Sequence, residues 1–178
     1  MIETPRLILR AWRAEDHGPF AVLNADPRVG DWLGGVRSRA ECDAAIGRFN
    51  AHIAQHGWGY WAAERKTDAR LVGMIGLGRF EPNETPLGET VEMAWRTFPE
   101  TWGQGLASEG AAAALAWGLA NLDAEEILAV TARSNLRSQA VMRRIGMTPQ
   151  PWRDFDHPKL AADHPLRPHV VFSATRSR

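Results

Sequence analysis

The chain has 178 residues, of which 44% are hydrophobic and 24% charged, as in an ordinary globular protein. Lys plus Arg (21) balance Asp plus Glu (21), and the net charge of zero argues against a nucleic-acid-binding protein or one attracted to a membrane surface. The single cysteine, Cys42, excludes an internal disulfide and a Cys-rich zinc site. No apolar run reaches the ~20 residues that a membrane span needs and no secretory signal is visible, so we expect a cytoplasmic protein.

The first half of the chain alternates short strands with helices. In chain order the residue patterns predict a strand over 7–12, helices over 15–24 and 39–56, a hairpin of strands over 60–65 and 71–80, and a polar loop over 82–88. The longer helix carries the strongest signal, because Ser38 and Glu41 have the spacing of a capping box and Gly57 follows as a C-cap.

The second half contains the segments that carry chemistry. In chain order it predicts a strand over 90–96, a Gly-containing loop over 98–107, an Ala-rich helix over 108–122, a strand over 127–131, a helix over 138–145 and a last strand over 169–175. This order indicates an α/β fold with a mixed, mostly antiparallel sheet and helices on its faces. No linker or repeat divides the chain, so we expect one domain over 1–178.

The loop before the Ala-rich helix is the first candidate site. Gly103 and Gly105 allow the backbone to approach a ligand closely, and the first N–H groups of a helix lack partners and attract anions such as phosphate. On spacing alone, a plain Gly-containing turn between strand and helix is the alternative. The segment lacks the G-x-x-x-x-G-K-[ST] pattern, and Ser108 stands where G-x-G-x-x-G requires glycine, so neither familiar nucleotide-binding loop is present.

Three segments, in order, resemble the GNAT acetyltransferase superfamily, and within it the ribosomal-protein N-terminal acetyltransferase-like members. Gly105 and Ala107 match the fixed glycine and small residue of the family's acetyl-CoA loop, [RQ]-x-x-G-x-[GA], although Trp102 replaces its leading residue. The family's N-x-x-[SA]…G-[FM] pattern is matched by Asn135, Ser138, Gly146 and Met147. The opening ETPRLILRAW also resembles the start of those members. The resemblance spans most of the chain and implies a GNAT fold whose central strands splay apart.

The resemblance implies that acetyl-CoA is the cosubstrate and that no metal is needed. Its pyrophosphate would receive N–H groups from Gly103, Gln104, Gly105, Leu106, Ala107 and Ser108. Its pantetheine arm would lie beside Met93, Ala94 and Trp95 and would receive a hydrogen bond from Asn135. A backbone N–H of that strand would polarise the thioester carbonyl.

Transfer to an amine needs a base, acting directly or through water, because an ammonium group has no lone pair with which to attack. Glu92 is the candidate, since strand alternation places it with Ala94 and Arg96 on the polar face beside the expected cleft. An ordinary solvated carboxylate is the alternative interpretation of Glu92. Arg96 would weaken the base if the two side chains paired.

Protonation of the leaving thiolate has fewer candidates. Many GNAT members use a tyrosine on the helix over 138–145, but the aligned residue is Met142, and the single tyrosine, Tyr60, lies on another strand. The resemblance assigns the role to Ser138, whose alternative role is to cap the helix. A CoA thiol is also a fair leaving group that needs no protein acid.

The acceptor is the part of the reaction that the sequence determines least. Trp32, Trp58 and Trp61 either line an acceptor pocket or belong to the core, and we take Trp32 and Glu92 as the candidate substrate-binding residues. The expected acceptor is a primary amine, on a small molecule or at a protein N-terminus. Exposed tryptophans would fit the face of a homodimer.

The histidines and Cys42 are weaker candidates. His52 and His56 have the i, i+4 spacing of metal ligands without the accompanying glutamate, which favours an exposed helix face. In the Pro-rich tail, His157, His164 and His169 have no cysteine or regular carboxylate beside them, which favours a packing or substrate-edge role. Cys42 lies on the apolar face of its helix and is predicted to be a core residue.

The sequence therefore predicts an acetyl-CoA-dependent N-acetyltransferase that works by direct attack in a ternary complex. A non-catalytic acyl-CoA-binding or sensing module of the same fold is the alternative. The two differ in one observable, because only the enzyme releases a thiol when an amine is supplied.

Overall fold

The computed structural model describes residues 1–80 and 85–176, so positions 82–84 of the predicted polar loop lie outside the described residues. The strands of the described part are β1 (Ile2–Glu3), β2 (Leu7–Arg10), β3 (Tyr60–Arg65), β4 (Leu71–Arg79), β5 (Val91–Thr97), β6 (Glu126–Ala132), β7 (Thr148–Pro149), β8 (Phe155–Asp156) and β9 (Pro168–Thr175). Its α-helices are α1 (His17–Ala25), α2 (Pro27–Gly30), α3 (Arg39–His56), α4 (Leu106–Asn121) and α5 (Leu136–Arg144).

Helix α3 has the predicted bounds because both of its ends are capped as expected. The Ser38 N–H donates to Glu41 Oε2 over 2.7 Å, and the Glu41 N–H donates to Ser38 Oγ over 3.3 Å. Gly57 adopts a φ of 79°, a left-handed conformation that suits glycine and ends the helix.

Helices α4 and α5 each begin two residues earlier than predicted. In α5 the cap is Asn135, whose Oδ1 accepts a hydrogen bond of 3.2 Å from the Ser138 N–H, so the suggestion that Ser138 caps the helix is wrong. In α4 the cap is Gly105. The predicted strand over 7–12 ends at Arg10, because the Trp12 N–H then bonds to Asn50 Oδ1 on α3 rather than to a strand.

The strands form one sheet in the order β1-β2-β3-β4-β5-β6-β9-β7, with β8 paired to β9. Every neighbouring pair is antiparallel except β5 and β6. These two run parallel and are joined by a single residue pair, Glu92 with Leu128. The prediction of a mixed, mostly antiparallel sheet with splayed central strands is therefore confirmed.

Helices cover both faces of the sheet, as predicted. The core cluster on one face contains Trp61, Ile75 and Met93 together with side chains of α4. The cluster on the other face contains Ala62 and Met74 together with side chains of α1 and α3. Neighbouring strand residues alternate between the clusters, as the two-residue period of a strand requires.

Glycines bring α4 unusually close to the sheet. A Cβ built at Gly110 would lie 2.7 Å from Ile75, and one built at Gly118 would lie 2.6 Å from Leu77 and 2.7 Å from Ile127. Larger residues at these two positions would lift the helix from β4 and β6. The Ala- and Gly-rich sequence therefore fixes where the N-terminus of α4 stands beside the gap between β5 and β6.

None of the helices in residues 1–80 and 85–176 combines the length and the apolar character that crossing a bilayer requires.

Candidate active site

A cleft of about 690 Å³ opens where β5 and β6 separate. It is bounded by β5, by the loop before α4, by the end of β6 and by the first turns of α5. The predicted site residues that line it are Trp32, Glu92, Met93, Ala94, Trp95, Gly103, Gly105, Ala107, Ser108, Asn135 and Ser138. The side chain of Leu106 is instead in the core (2% exposed), and that of Gln104 is exposed and donates to the Glu100 carbonyl.

The N-terminus of α4 faces one end of the cleft. Gly105 adopts a φ of 76°, and its carbonyl accepts the first helical hydrogen bond, 3.0 Å from the Glu109 N–H. The N–H groups of Leu106, Ala107 and Ser108 therefore precede the helical ladder and have no acceptor within it. Together with the positive end of the helix dipole they form a site suited to a phosphate.

An ion pair fixes this helix end to the segment that connects β1 and β2. Arg6 Nε donates to Glu109 Oε2 over 2.6 Å, and Arg6 Nη1 donates to the Gln104 carbonyl over 2.9 Å. Thr4 adds a third hydrogen bond, from its hydroxyl to Glu109 Oε1, at 2.6 Å. Burial raises the pKa of Glu109, but the hydrogen bonds from Thr4 and Arg6 outweigh burial and hold it below its usual range. These contacts hold the loop before α4 against the segment that connects β1 and β2.

Replacing Glu109 by glutamine is expected to weaken acetyl-CoA binding several-fold and to lower the free energy of unfolding by about 1–2 kcal/mol at neutral pH. Because the folded-state pKa is depressed, the wild-type contribution is present above the unfolded pKa of about 4.3 and is lost as pH falls through the lower folded value. Denaturant titrations at pH 7 and near pH 3 measure this. An equal stability difference between the two proteins at both pH values would contradict the expectation.

Two cations that sequence reasoning missed stand on α5 at the rim of the cleft. The Arg137 guanidinium lies 4.8 Å from the centre of the Trp102 ring, and Arg144 Nη1 lies 3.3 Å from Ser108 Oγ. Arg137 and Arg144 are seven residues apart and so share one helix face. Two arginines with this helical spacing, shortly after Asn135, are the sequence pattern from which this pair could have been predicted. Both side chains add positive charge near the N-terminus of α4.

The predicted base, Glu92, has a partner that the sequence alone did not suggest. The Tyr60 hydroxyl, on β3, donates a hydrogen bond to Glu92 Oε1, on β5. The Tyr60 side chain reaches Glu92 by passing over Gly78, the residue of β4 that pairs with Glu92. A Cβ at Gly78 would overlap the Tyr60 hydroxyl. The glycine in β4 therefore makes room for a Tyr–Glu pair at the wall of the cleft.

Arg96 lies on the same face of β5 as Glu92, but its hydrogen bond is to Asn24 and not to Glu92. Its Nη1 donates to Asn24 Oδ1, near the end of α1, and Asn24 is held in turn by a 2.7 Å bond from its Nδ2 to the Phe20 carbonyl. Burial lowers the pKa of Arg96 to about 10, and the positive charge of Arg37 acts in the same direction. Arg96 remains charged at neutral pH.

The residues around α5 divide between the cleft and the core. Ser138 lines the cleft on the first turn, and Asn135 precedes it as the cap. Met142, which replaces the family's tyrosine, is 1% exposed and lies at the boundary between cleft and core.

Another wall of the cleft is formed by α2 and the residues after it, and it contains Val29, Trp32 and Leu33. A second cavity of about 570 Å³ adjoins it and shares Trp32 and Trp102. Trp58 and Trp61, the other two candidates, are 6% and 2% exposed in the core. Of the three tryptophans, the structure places only Trp32 at the cleft.

Three of the histidines, His52, His56 and His169, lie in different settings. His169 lines the cleft and stacks on Phe155 at 5.6 Å, and burial lowers its pKa. His52 packs against Trp58, and burial lowers its pKa also, so the prediction of an exposed helix face holds for His56 but not for His52. No group of three or more metal-binding side chains occurs among the described residues. Cys42 is 2% exposed, which confirms it as a core residue.

Solved structures share this fold over nearly the whole chain. An acetyltransferase of the GNAT family from Bacillus anthracis superposes with a TM-score of 0.80 at 20% identity, covering 98% of both chains. A spermidine N-acetyltransferase from Vibrio cholerae, solved with CoA and spermine, gives 0.74 at 16% identity and 97% of both chains. A ribosomal-protein-S5-alanine acetyltransferase from Vibrio fischeri gives 0.76 at 12% identity, covering 98% of this chain and 95% of that one. The fold is that of the acetyltransferases.

Sequence comparison identifies the family. The model of the acetyltransferase (GNAT) domain matches residues 6–148, so the chain belongs to the GNAT acetyltransferase family, and the predicted resemblance is confirmed. A curated relative, the FsC-acetyl coenzyme A-N(2)-transacetylase of Aspergillus fumigatus, is 28% identical over 140 residues, which are 75% of this chain. The match spans 59% of that relative's length.

Proposed function

We propose that this protein transfers the acetyl group of acetyl-CoA to a primary amine by direct attack in a ternary complex. The observation that carries the proposal is the cleft between β5 and β6, which has a helix N-terminus at one end and the Tyr60–Glu92 pair in its wall. Family membership supports acetyl transfer, and the relatives named above include enzymes whose names specify amine acceptors.

The cleft suits the parts of acetyl-CoA in order. Diphosphate oxygens would accept from the N–H groups at the start of α4, with Arg137 and Arg144 supplying positive charge nearby. Between Met93 and Trp95, the amide groups that face away from β4 have no partner strand among the described residues and could pair with the pantetheine arm as with an added strand. The cosubstrate supplies the activated acetyl group when bound.

Glu92 would accept the proton from the attacking amine, directly or through a water molecule. Tyr60 would hold the carboxylate in place, because its hydroxyl donates a hydrogen bond to Glu92 Oε1. The acceptor, on a small molecule or at a protein N-terminus, would enter past Trp32.

Ser138 is expected to contribute little to the chemistry. The Asn135 cap relieves Ser138 of a structural task, so Ser138→Ala should fold normally and should lower kcat by less than about threefold, since the CoA thiol is a fair leaving group. Steady-state thiol release at saturating substrates measures this. A loss larger than that of Glu92→Gln would make Ser138, not Glu92, the dominant proton-transfer group.

Calorimetric titration of acetyl-CoA and CoA into the purified protein tests the proposal first. Micromolar binding is expected, followed by amine-dependent release of CoA thiol in a screen that includes peptides with free N-termini and small amines. Binding without thiol release from any amine would favour the acyl-CoA-sensing module. Absence of binding up to millimolar acetyl-CoA would overturn both.

A further inference from the structure

Arg96 is a cation in the wall of the cleft that has no anionic partner among the described residues. Its one hydrogen-bonded neighbour is the neutral side chain of Asn24. Its Nε is shielded from solvent and has no hydrogen-bond partner in the part of the chain that the structure describes. The other cleft-lining side chains beside it include Val29, Leu33 and Met74, which are apolar. Since a charge without a counter-ion in apolar surroundings is costly, such an arginine needs an explanation.

The acetyl-CoA diphosphate does not provide that explanation. Met93 and Trp95 belong to the core cluster on the α4 face of the sheet, and Arg96, being out of phase with them, projects towards α1 and α3. The N-terminus of α4 is therefore on the opposite face from the Arg96 guanidinium. The anion that Arg96 meets has to come from the side of α1, α2 and Trp32, which is the side left for the acceptor.

We propose that Arg96 binds an anionic group of the acceptor, so that the substrate is an amine that also carries a carboxylate. This inference rests on the proposed function and specifies its substrate class. It disfavours polyamines, since a second cationic group would face the Arg96 guanidinium. Arginine is suited to the task because its planar donor array matches the two oxygens of a carboxylate.

The positions of Arg96 and Glu92 limit the shape of such an acceptor. They are four residues apart on one face of β5, which places their Cα atoms on the order of 13 Å apart. An amine beside Glu92 and a carboxylate on Arg96 must then be separated by several bonds. An ω-amino acid or a short acidic segment at a peptide N-terminus fits this spacing better than an α-amino acid does.

Matched acceptors test the proposal directly. The probes are 6-aminohexanoate, its uncharged amide 6-aminohexanamide, and spermidine, each with saturating acetyl-CoA. We expect the wild-type protein to prefer the acid over the amide by at least about tenfold in kcat/KM. Arg96→Gln should bring the ratio close to one, and Arg96→Lys should retain part of it. An acid-to-amide ratio near one in the wild type, or an unchanged ratio in Arg96→Gln, would overturn the proposal.

Arg144→Gln is the matched control, because it removes one arginine from the same cleft on the side of α4. We expect it to raise the KM for acetyl-CoA and to leave the acid-to-amide ratio unchanged. If Arg96→Gln instead raises the KM for acetyl-CoA with the ratio intact, Arg96 serves the cosubstrate and the proposal is wrong. Thermal melting of each variant distinguishes lost folding from lost recognition, and Arg96→Lys keeps the test valid if Arg96→Gln does not fold.

A binding measurement separates this proposal from the proposed function. Protein saturated with CoA is titrated with 6-acetamidohexanoate and with the corresponding amide, neither of which requires turnover. Selective binding of the acid that is lost in Arg96→Gln would support the anion site even if no amine is acetylated. Equal binding of the acid and the amide would overturn it, whatever the catalytic result.

Discussion

Gly105→Asp is expected to abolish acetyl-CoA binding, with a loss of affinity of at least about 100-fold, while the protein still folds. Gly105 caps α4 with a φ of 76°, and a Cβ there would meet only Arg6, at an ordinary 3.5 Å. The left-handed conformation costs an aspartate about 1 kcal/mol. The dominant effect is the carboxylate placed beside the N–H groups that the diphosphate needs. Calorimetric titration of acetyl-CoA measures the change.

Gly57→Asp is the matched control for that substitution. Gly57 ends α3 with a nearly identical φ of 79°, and nothing lies within 4 Å of a Cβ there. The variant therefore carries a comparable backbone strain at a residue that does not line the cleft, and it should bind acetyl-CoA like the wild type. If Gly105→Asp binds acetyl-CoA normally, the α4 N-terminus is not the diphosphate site.

Glu92→Gln is expected to lower kcat by about 10²–10³-fold at saturating substrates and to flatten the acid limb of the pH–rate profile. The amide is nearly isosteric and still accepts the Tyr60 hydrogen bond, so the fold should be retained. The KM for acetyl-CoA should change little, because the N–H groups that would bind the diphosphate lie on α4. The rate of thiol release is measured over a series of pH values for both proteins, and each rate is compared with that of the same protein near neutral pH.

Two further variants test whether the effect of Glu92→Gln is specific to the carboxylate in the cleft. Glu126→Gln makes the same change on β6, where the carboxylate pairs with Arg153 and does not line the cleft, and should retain activity. Tyr60→Phe keeps the ring and removes the hydroxyl that holds Glu92, so its loss should be smaller than that of Glu92→Gln. An unchanged rate and pH profile in Glu92→Gln would exclude Glu92 as the base.

Sequence patterns predicted those elements whose signals are local. Helix α3 has a capping box and a C-cap glycine within its own segment, and both ends fall where predicted. The start of α5 was placed two residues late because Asn135 and Ser138 are both good caps, and the choice between them depends on which backbone N–H is reached. Helix α2 and the strands β1, β7 and β8, each two to four residues long, are too short for a periodic pattern.

Only those parts of the candidate site that belong to local sequence motifs could be predicted. The loop at Gly103 and Gly105 and the strand at Glu92 could be found from residue types, and the structure brings them to one cleft. The partners of Glu92 and Arg96 could not, because each pairing joins segments more than 30 residues apart: Tyr60 with Glu92 is 32 apart, and Asn24 with Arg96 is 72 apart. Such pairings follow from strand register and from the gap at Gly78, neither of which a local pattern encodes.

The single residue pair between β5 and β6 gives the protein an edge strand in the middle of its own sheet. An exposed strand edge is normally a liability, since it offers unpaired N–H and C=O groups to any other chain and so promotes aggregation. Here the edge faces a cleft of about 690 Å³ that is lined by the first residues of α4 and by α5. The unpaired part of β5 therefore lies inside a cleft within the sheet and not along the sheet's outer rim.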